Sequence, residues 1–166
     1  MRMSTTEKKR KYLGLKVNKE TGCIESRIGF TCSSFDLLHA GHILMLEDAR
    51  RICDKLIVGL HSDPTIDRPD TKNKPIQSLE ERRIQLKAVK YIHEIFEYDT
   101  EEELYKKLLD IKPDVRILGS DYIGKSFTGD DLDIKVYYHD RNHNYSTTNL
   151  RGKIVSEHIH RETTKG

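Results

Sequence analysis

A chain of 166 residues fits one domain with a single core. With 34% of its residues charged it reads as a soluble globular protein, and a net charge of only +2 gives no bulk electrostatic case for a nucleic-acid partner. No window is long and apolar enough for a transmembrane helix, the first residues lack the apolar core of a signal peptide, and Cys23, Cys32 and Cys53 have no metal-type spacing, so reduced thiols and a cytoplasmic location are expected.

Residues 1–25 read as an N-terminal extension and 26–166 as one domain. Lys8-Lys9-Arg10-Lys11 reads as a solvated tail, while 12–17 and 23–24 can pair as a small hairpin around 18–22. A first strand is expected over 28–32. It leads into the turn Ser34-Phe35-Asp36-Leu37-Leu38-His39-Ala40-Gly41-His42 and a helix over 43–50. His39 and His42, three apart, share one side of that helix's first turn. Unpaired N–H groups and the positive end of the dipole make such a start a ready anion site. Gly41 removes a side chain where a phosphate or the backbone must come close. Cys32, just before the turn, reads as a buried small hydrophobe, with proximity to a nucleotide as the alternative.

A second strand is expected over 55–60, then a long polar loop over 61–77 with Pro64, Pro69 and Pro75. Ser78 and Glu81 form a capping box that opens a helix presenting Ile84, Ala88 and Ile92 on one face. The third strand falls at 95–98. Thr100 caps a helix reaching 111, with Leu104, Leu108 and Ile111 as its buried stripe and Pro113 beyond its end. Strand four, 115–118, runs into Gly119-Ser120-Asp121, and strand five is expected over 134–138. Ser146-Thr147-Thr148 opens a last helix with Leu150, Ile154 and Ile159 as apolar positions. This alternation predicts an α/β, Rossmann-like open parallel five-stranded sheet with helices on both faces. Ligands bind such sheets off the strands' carboxyl ends, where His39, His42, Gly119, Asp121 and Ser146 all fall.

The stretch Phe35-Asp36-Leu37-Leu38-His39-Ala40-Gly41-His42 resembles the signature of the cytidylyltransferases, closest to that of the glycerol-3-phosphate cytidylyltransferases, and the resemblance runs from about Arg27 to Ile154. It implies that His39 and His42 contact the triphosphate. A zinc pair and simple helix capping are the alternatives, and a catalytic zinc site needs a third ligand that no nearby residue supplies. The resemblance also implies phosphate contact for Lys74 and nucleotide or phosphate contact for Arg82, with Arg83 as rival. Arg141-Asn142-His143-Asn144-Tyr145-Ser146-Thr147-Thr148 resembles the family's Arg-Thr-Glu-Gly-Ile-Ser-Thr-Thr, which implies a phosphate-binding Arg141 and a helix opened by Ser146, Thr147 and Thr148. Gly119-Ser120-Asp121-Tyr122 resembles a segment near base and ribose. Ser34, Phe35, Asp36 and Gly41 complete the implied nucleotide set, with an Asx-turn role open for Asp36. Ser33 stands where the family has glycine, and Asn142-His143-Asn144-Tyr145 replaces Thr-Glu-Gly-Ile.

The implied activity is transfer of CMP from CTP to a small phosphorylated alcohol with release of pyrophosphate. Glycerol 3-phosphate is the first acceptor, giving CDP-glycerol; phosphocholine, phosphoethanolamine and phosphonates are alternatives. Mg²⁺ would be held mainly through the CTP phosphates, with no protein metal ligand expected. A homodimer is implied, without nucleic-acid or membrane partners. An adenylyltransferase and a nucleotide-binding module that has lost catalysis are the other readings.

Overall fold

The computed structural model describes residues 16, 17, 19–23 and 25–164. Parts of the hairpin expected near 12–24, and the basic run before it, lie outside them. Within the described part, the Glu25 N–H donates to the Lys16 carbonyl at 2.9 Å and the Lys16 ammonium pairs with Asp114 at 2.9 Å, which ties this segment to the domain.

Five strands form one sheet: β1 (Ile28–Ser33), β2 (Lys55–His61), β3 (Glu94–Tyr98), β4 (Val115–Gly119) and β5 (Lys135–His139). Their order is β3-β2-β1-β4-β5 and every neighbouring pair is parallel. The helices are α1 (Ala40–Ile52), α2 (Leu79–Lys87), α3 (Glu101–Ile111) and α4 (Thr147–Thr164), with a short 3₁₀ turn at Ser120–Tyr122. β2 is buried from Leu56 to His61, as a strand covered on both faces must be. One apolar cluster joins Leu46, Ala49 and Ile52 of α1 to Leu86 of α2 and to Leu56, Val58 and Ile117 of the sheet. The other sets Leu104 and Leu108 of α3 against Phe30, Ile57 and Tyr98. The helices thus cover opposite faces.

Local chemistry sets the helix ends. Ser78 and Glu81 make the reciprocal capping box, with Glu81 N–H to Ser78 Oγ at 3.2 Å and Ser78 N–H to Glu81 Oε2 at 2.7 Å. Thr100 caps α3, whose first turn carries three acids against the positive end of its dipole. α3 stops at Lys112, at φ +48°, just before Pro113.

Two expectations about helix faces are corrected. α2 ends at Lys87, and its inward residues are Arg82 and Leu86, while Ile84 is 59% exposed and Ala88 forms an exposed C-cap. A short helix at a sheet edge buries a stripe one residue wide, too narrow for periodicity to place. On α4, Leu150 is half-buried but Ile154 and Ile159 are 53% and 56% exposed, because the helix leaves the body after its second turn.

β1 sits at the centre, with β2 and β3 on one side and β4 and β5 on the other. The winding direction reverses between β1 and β4. The carboxyl edge there is the crevice in which an open α/β sheet binds ligands.

Candidate active site

The turn between β1 and α1 is an unusual cap. His39 is the N-cap residue, with extended backbone, and its Nδ1 accepts the Gly41 N–H at 3.1 Å. Three residues on, His42 Nδ1 accepts the His39 N–H at 3.3 Å. This reproduces a capping box with imidazoles in both roles, and the rings stack at 3.9 Å between centroids. Capping and ligand contact are therefore not alternatives. Because each Nδ1 is an acceptor, each neutral ring carries its proton on Nε2, aimed away from the backbone it caps. His39 Nε2 meets Thr147 Oγ1 at 3.3 Å, and His42 lines a pocket at the sheet's carboxyl edge.

Electrostatics keep the pair neutral. Burial, reinforced by His39 and Arg141, pushes His42 down to about 3. Burial, Arg141 and His143 lower His39 as well. Both rings at neutral pH are oriented N–H donors rather than cations. Gly41 lies between them because a Cβ there would meet the Tyr145 carbonyl at 2.9 Å and His143 Cε1 at 3.0 Å. The close approach is by the 143–145 segment, which brings the second motif onto the first.

The turn itself holds Phe35 at φ +47° and Leu37 at φ +50°, a left-handed backbone that side chains disfavour. Surrounding bonds enforce it. Phe35 is fully buried against the His42 ring, and the Leu37 N–H donates to Gln77 Oε1 at 2.9 Å. Asp36, 3% exposed, accepts the Ile76 and Gln77 N–H groups at 3.0 and 2.9 Å and pairs with Arg151 at 2.8 Å. Those bonds outweigh its burial and lower its pKa. Ser33, in contrast, continues regular β1 pairing opposite Leu60, so no glycine is needed there for backbone reasons.

A pocket of about 600 Å³ opens along the carboxyl edge of β1 and β4. It gathers Ser34, His42, Gly119, Asp121 and Arg141 of the sequence-derived set. Arg141 and Asp121 form a half-exposed pair at 3.2 Å, a contact weak enough in water for Arg141 to exchange it for a phosphate. Ser146 caps α4 by accepting the Asn149 N–H at 3.1 Å, and Thr147 Oγ1 also reaches the Asp36 carbonyl at 3.3 Å. Thr148 is exposed, one residue further along the helix.

Several expected nucleotide contacts stand elsewhere. Arg82 is 2% exposed and gives its donors to the carbonyls of Gln77 (3.1 Å), Ser34 (2.9 Å), His61 (2.8 Å) and Ser62 (2.6 Å). It spends four of its five N–H donors clamping loop backbone; Arg83, its rival, pairs with Glu80 and Glu97. Phe35 and Asp36 shape the turn from within the protein. Lys74 is exposed, its carbonyl held by Arg151 at 3.0 Å, and Lys72 of the same loop lines the pocket instead. Arg68, Lys72, Tyr98, Arg116 and Thr128 also line it and were absent from the sequence-derived set. For Arg116 a signal existed: one cation inside the apolar run of β4.

The pocket's carboxylates do not assemble into a metal cage. Glu101 is taken by Arg68 at 2.6 Å and by the Thr128 hydroxyl, Asp121 by Arg141, and Asp130 by the Phe127 N–H. His61, Asp67 and Glu101 come within metal-ligand reach of one another, but His61 Nε2 meets the Asp99 carbonyl and Asp67 accepts the Glu101 N–H. These residues fit a Mg²⁺ carried on nucleotide phosphates and hydrated by water. Bound that way, the ion would neutralise phosphate charge.

A parallel open sheet whose switch point carries a histidine-capped helix and a cationic crevice defines an α/β nucleotide-binding protein of the nucleotidyltransferase kind. Residues 30–153 match the cytidylyltransferase-like family, and the chain belongs to it. It is 39% identical over 132 residues to the bifunctional protein HldE of Campylobacter jejuni, covering 78% of this chain and 28% of that protein. Over 127 residues it is 38% identical to HldE of Campylobacter fetus, covering 75% and 27%. The chain thus spans about a quarter of the length of these curated relatives. Among solved structures it resembles the lipopolysaccharide core biosynthesis protein from Thermoplasma volcanium, with TM-score 0.57, 23% identity, and 74% of this chain and 100% of that one covered. Pantoate-beta-alanine ligase from Francisella tularensis aligns with TM-score 0.55 and 17% identity, covering 90% of this chain and 72% of that one. At these identities the structural likeness shows the fold alone.

Proposed function

We propose that this chain transfers a nucleotidyl group from a nucleoside triphosphate to the phosphate of a small acceptor, releasing pyrophosphate. The observation that carries the reading is the histidine capping box, which fixes both tautomers and presents the His42 Nε2–H to a pocket also lined by Lys72 and Arg141. An acceptor phosphate oxygen attacks the α-phosphorus in line. The α–β bridging bond breaks, and pyrophosphate leaves with the electron pair. The nucleophile is already deprotonated, so no base is required. What the protein supplies is position and donors aimed at oxygens whose charge grows during transfer. His42 donates a neutral N–H, His39 would do so by exchanging its Thr147 contact, and Arg141 and Lys72 supply cationic charge. Lys74 would have to turn inward from its exposed position to join them.

CTP is the donor implied by the motif from Phe35 to His42, with glycerol 3-phosphate as acceptor and CDP-glycerol as product. A second reading takes ATP, the nucleotide in whose beta-gamma form the Francisella tularensis neighbour was complexed, since a shared fold leaves the base open. Asp121 suits either base, since cytosine and adenine both present an amino donor. The implied homodimer is likewise proposed, and sedimentation velocity tests it.

Pyrophosphate release is the assay. It is run with CTP or ATP and Mg²⁺ against glycerol 3-phosphate, phosphocholine, phosphoethanolamine and a sugar phosphate. Release with one donor–acceptor pair establishes the reaction and names the substrates. Nucleotide binding without release from any pair overturns the catalytic reading and leaves a binding module.

A further inference from the structure

The proposed transfer makes no use of one pocket residue on the α3 face, Arg116, and that residue is electrostatically incomplete. Arg116 of β4 is 3% exposed and lies on that face, its guanidinium over the rings of Phe30 at 5.3 Å and Phe127 at 5.1 Å. Nη1 donates to the Thr128 carbonyl at 2.5 Å and Nη2 to Cys32 Sγ at 3.4 Å; Nε has no partner. Apart from the two rings, a carbonyl and a thiol, the latter a weak acceptor, are the partners this buried cation has among the described residues. The pocket's carboxylates are committed to Arg68, Arg141 and a backbone N–H. Burying an ion without a counter-charge costs several kcal/mol, a cost that proteins offset by pairing. Arg116 lines the pocket, so an anion can reach it from there. Arg68 and Lys72 line the same cavity, with Tyr98 and Thr128 as hydroxyl neighbours.

We propose that Arg116 is the centre of an oxyanion subsite, so that the acceptor carries a second anionic group, carboxylate or phosphate, besides the phosphate that is nucleotidylated. The proposal rests on the nucleotidyl-transfer reading of the pocket. The histidine pair belongs to α1, on the opposite face of the sheet, so the acceptor spans the carboxyl edge at the β1–β4 crevice. Its reacting phosphate lies toward His42 and its second anion beside Arg116. Planar guanidinium held between two aromatic rings is preorganised for such a group and for little else.

The test measures inorganic phosphate binding, by calorimetry, to the full chain saturated with a non-hydrolysable nucleoside triphosphate. The native protein should take up two phosphates. Arg116→Met, whose unbranched side chain fills the slot between the rings, should take up one, bind the nucleotide unchanged, and melt no lower than the native protein. Arg116→Gln, neutral but still a donor, should lose the same phosphate. Fewer than two phosphates in the native protein, or two in either folded variant, overturns the subsite. A paired kinetic arm separates the anions. 3-Phosphoglycerate against glycerol 3-phosphate reads a carboxylate, and propane-1,3-diyl bisphosphate against 3-hydroxypropyl phosphate reads a phosphate. The doubly anionic member should have the lower KM by about tenfold or more, and Arg116→Met should erase the difference. Failure of the nucleotidyl-transfer reading would look different: no nucleotide binding, with Arg116-dependent phosphate binding retained by the free protein.

Discussion

The two sides of the sheet's carboxyl edge each bury a guanidinium, and they use it in opposite ways. On the α1–α2 side, Arg82 gathers four backbone carbonyls from the ends of β1, β2 and the loop before α2. On the α3 side, Arg116 is as deeply buried, but among the described residues its hydrogen bonds reach only one carbonyl and one thiol. The first arrangement commits four of five donors to backbone and makes a rigid frame. The second stays open toward the pocket. What distinguishes a structural arginine from a ligand-binding one is how many of its donors the fold has already used, not how deeply it is buried.

Substituting each arginine gives the sharpest contrast. Arg82→Met strands the carbonyls of Ser34, His61, Ser62 and Gln77, so chemical denaturation should record a loss of more than about 3 kcal/mol. Arg116→Met should lose nothing comparable. Equal losses at both positions would erase the distinction.

His42→Asn probes the frame against the chemistry within one residue. The amide oxygen can replace Nδ1 as acceptor for the His39 N–H, while the Nε2 donor is gone. Turnover should fall about 100- to 1,000-fold, as for removal of one oriented donor, with a stability change under about 1 kcal/mol. Unchanged turnover would remove His42 from the reacting phosphates. Asp36→Asn comes next. It deprives Arg151 of its carboxylate and weakens the anchor of the strained turn, and about 2 kcal/mol of stability should be lost in urea titration.

A separate effect is expected on the pH dependence of stability. His42 titrates at about 3 in the folded chain against an ordinary value of 6.5, chiefly because it is buried. Between those values the unfolded chain binds the extra proton. This contribution is complete above about pH 6.5 and declines as pH falls toward 3. Melting temperature measured across that range should fall less steeply with acidification in His42→Asn than in the native protein. Equal slopes would mean that His42 is protonated in the fold.

Much of this was legible in the residues. Strand runs separated by capped helices define the parallel sheet, because the Ser78, Thr100 and Ser146 caps are local chemistry and tertiary contacts do not alter them. The His39–His42 spacing placed both rings on the first turn of a helix, though not that their own atoms cap it. Three things were not legible. Arg82 on a short helix reads as a surface cation until the carbonyls converging on it are placed. Lys72 and Lys74 differ only in how the loop is folded, which the Asp36 and Arg151 bonds decide. On α4, apolar spacing marks a face without saying whether its partner lies within the chain, and Ile154 and Ile159 have none in the core. Arg116 was visible as a charge in an apolar strand, but its meaning needed the two rings and the idle Nε.

The central claim, direct attack of an acceptor phosphate on the α-phosphorus, is tested most directly by isotope position. The acceptor phosphate is labelled with ¹⁸O at its terminal oxygens, and the product is read by ³¹P NMR. The account predicts a labelled oxygen in the new diphosphate bridge and none in the pyrophosphate released. Label in pyrophosphate, or free nucleoside monophosphate with no bridged product, would contradict it.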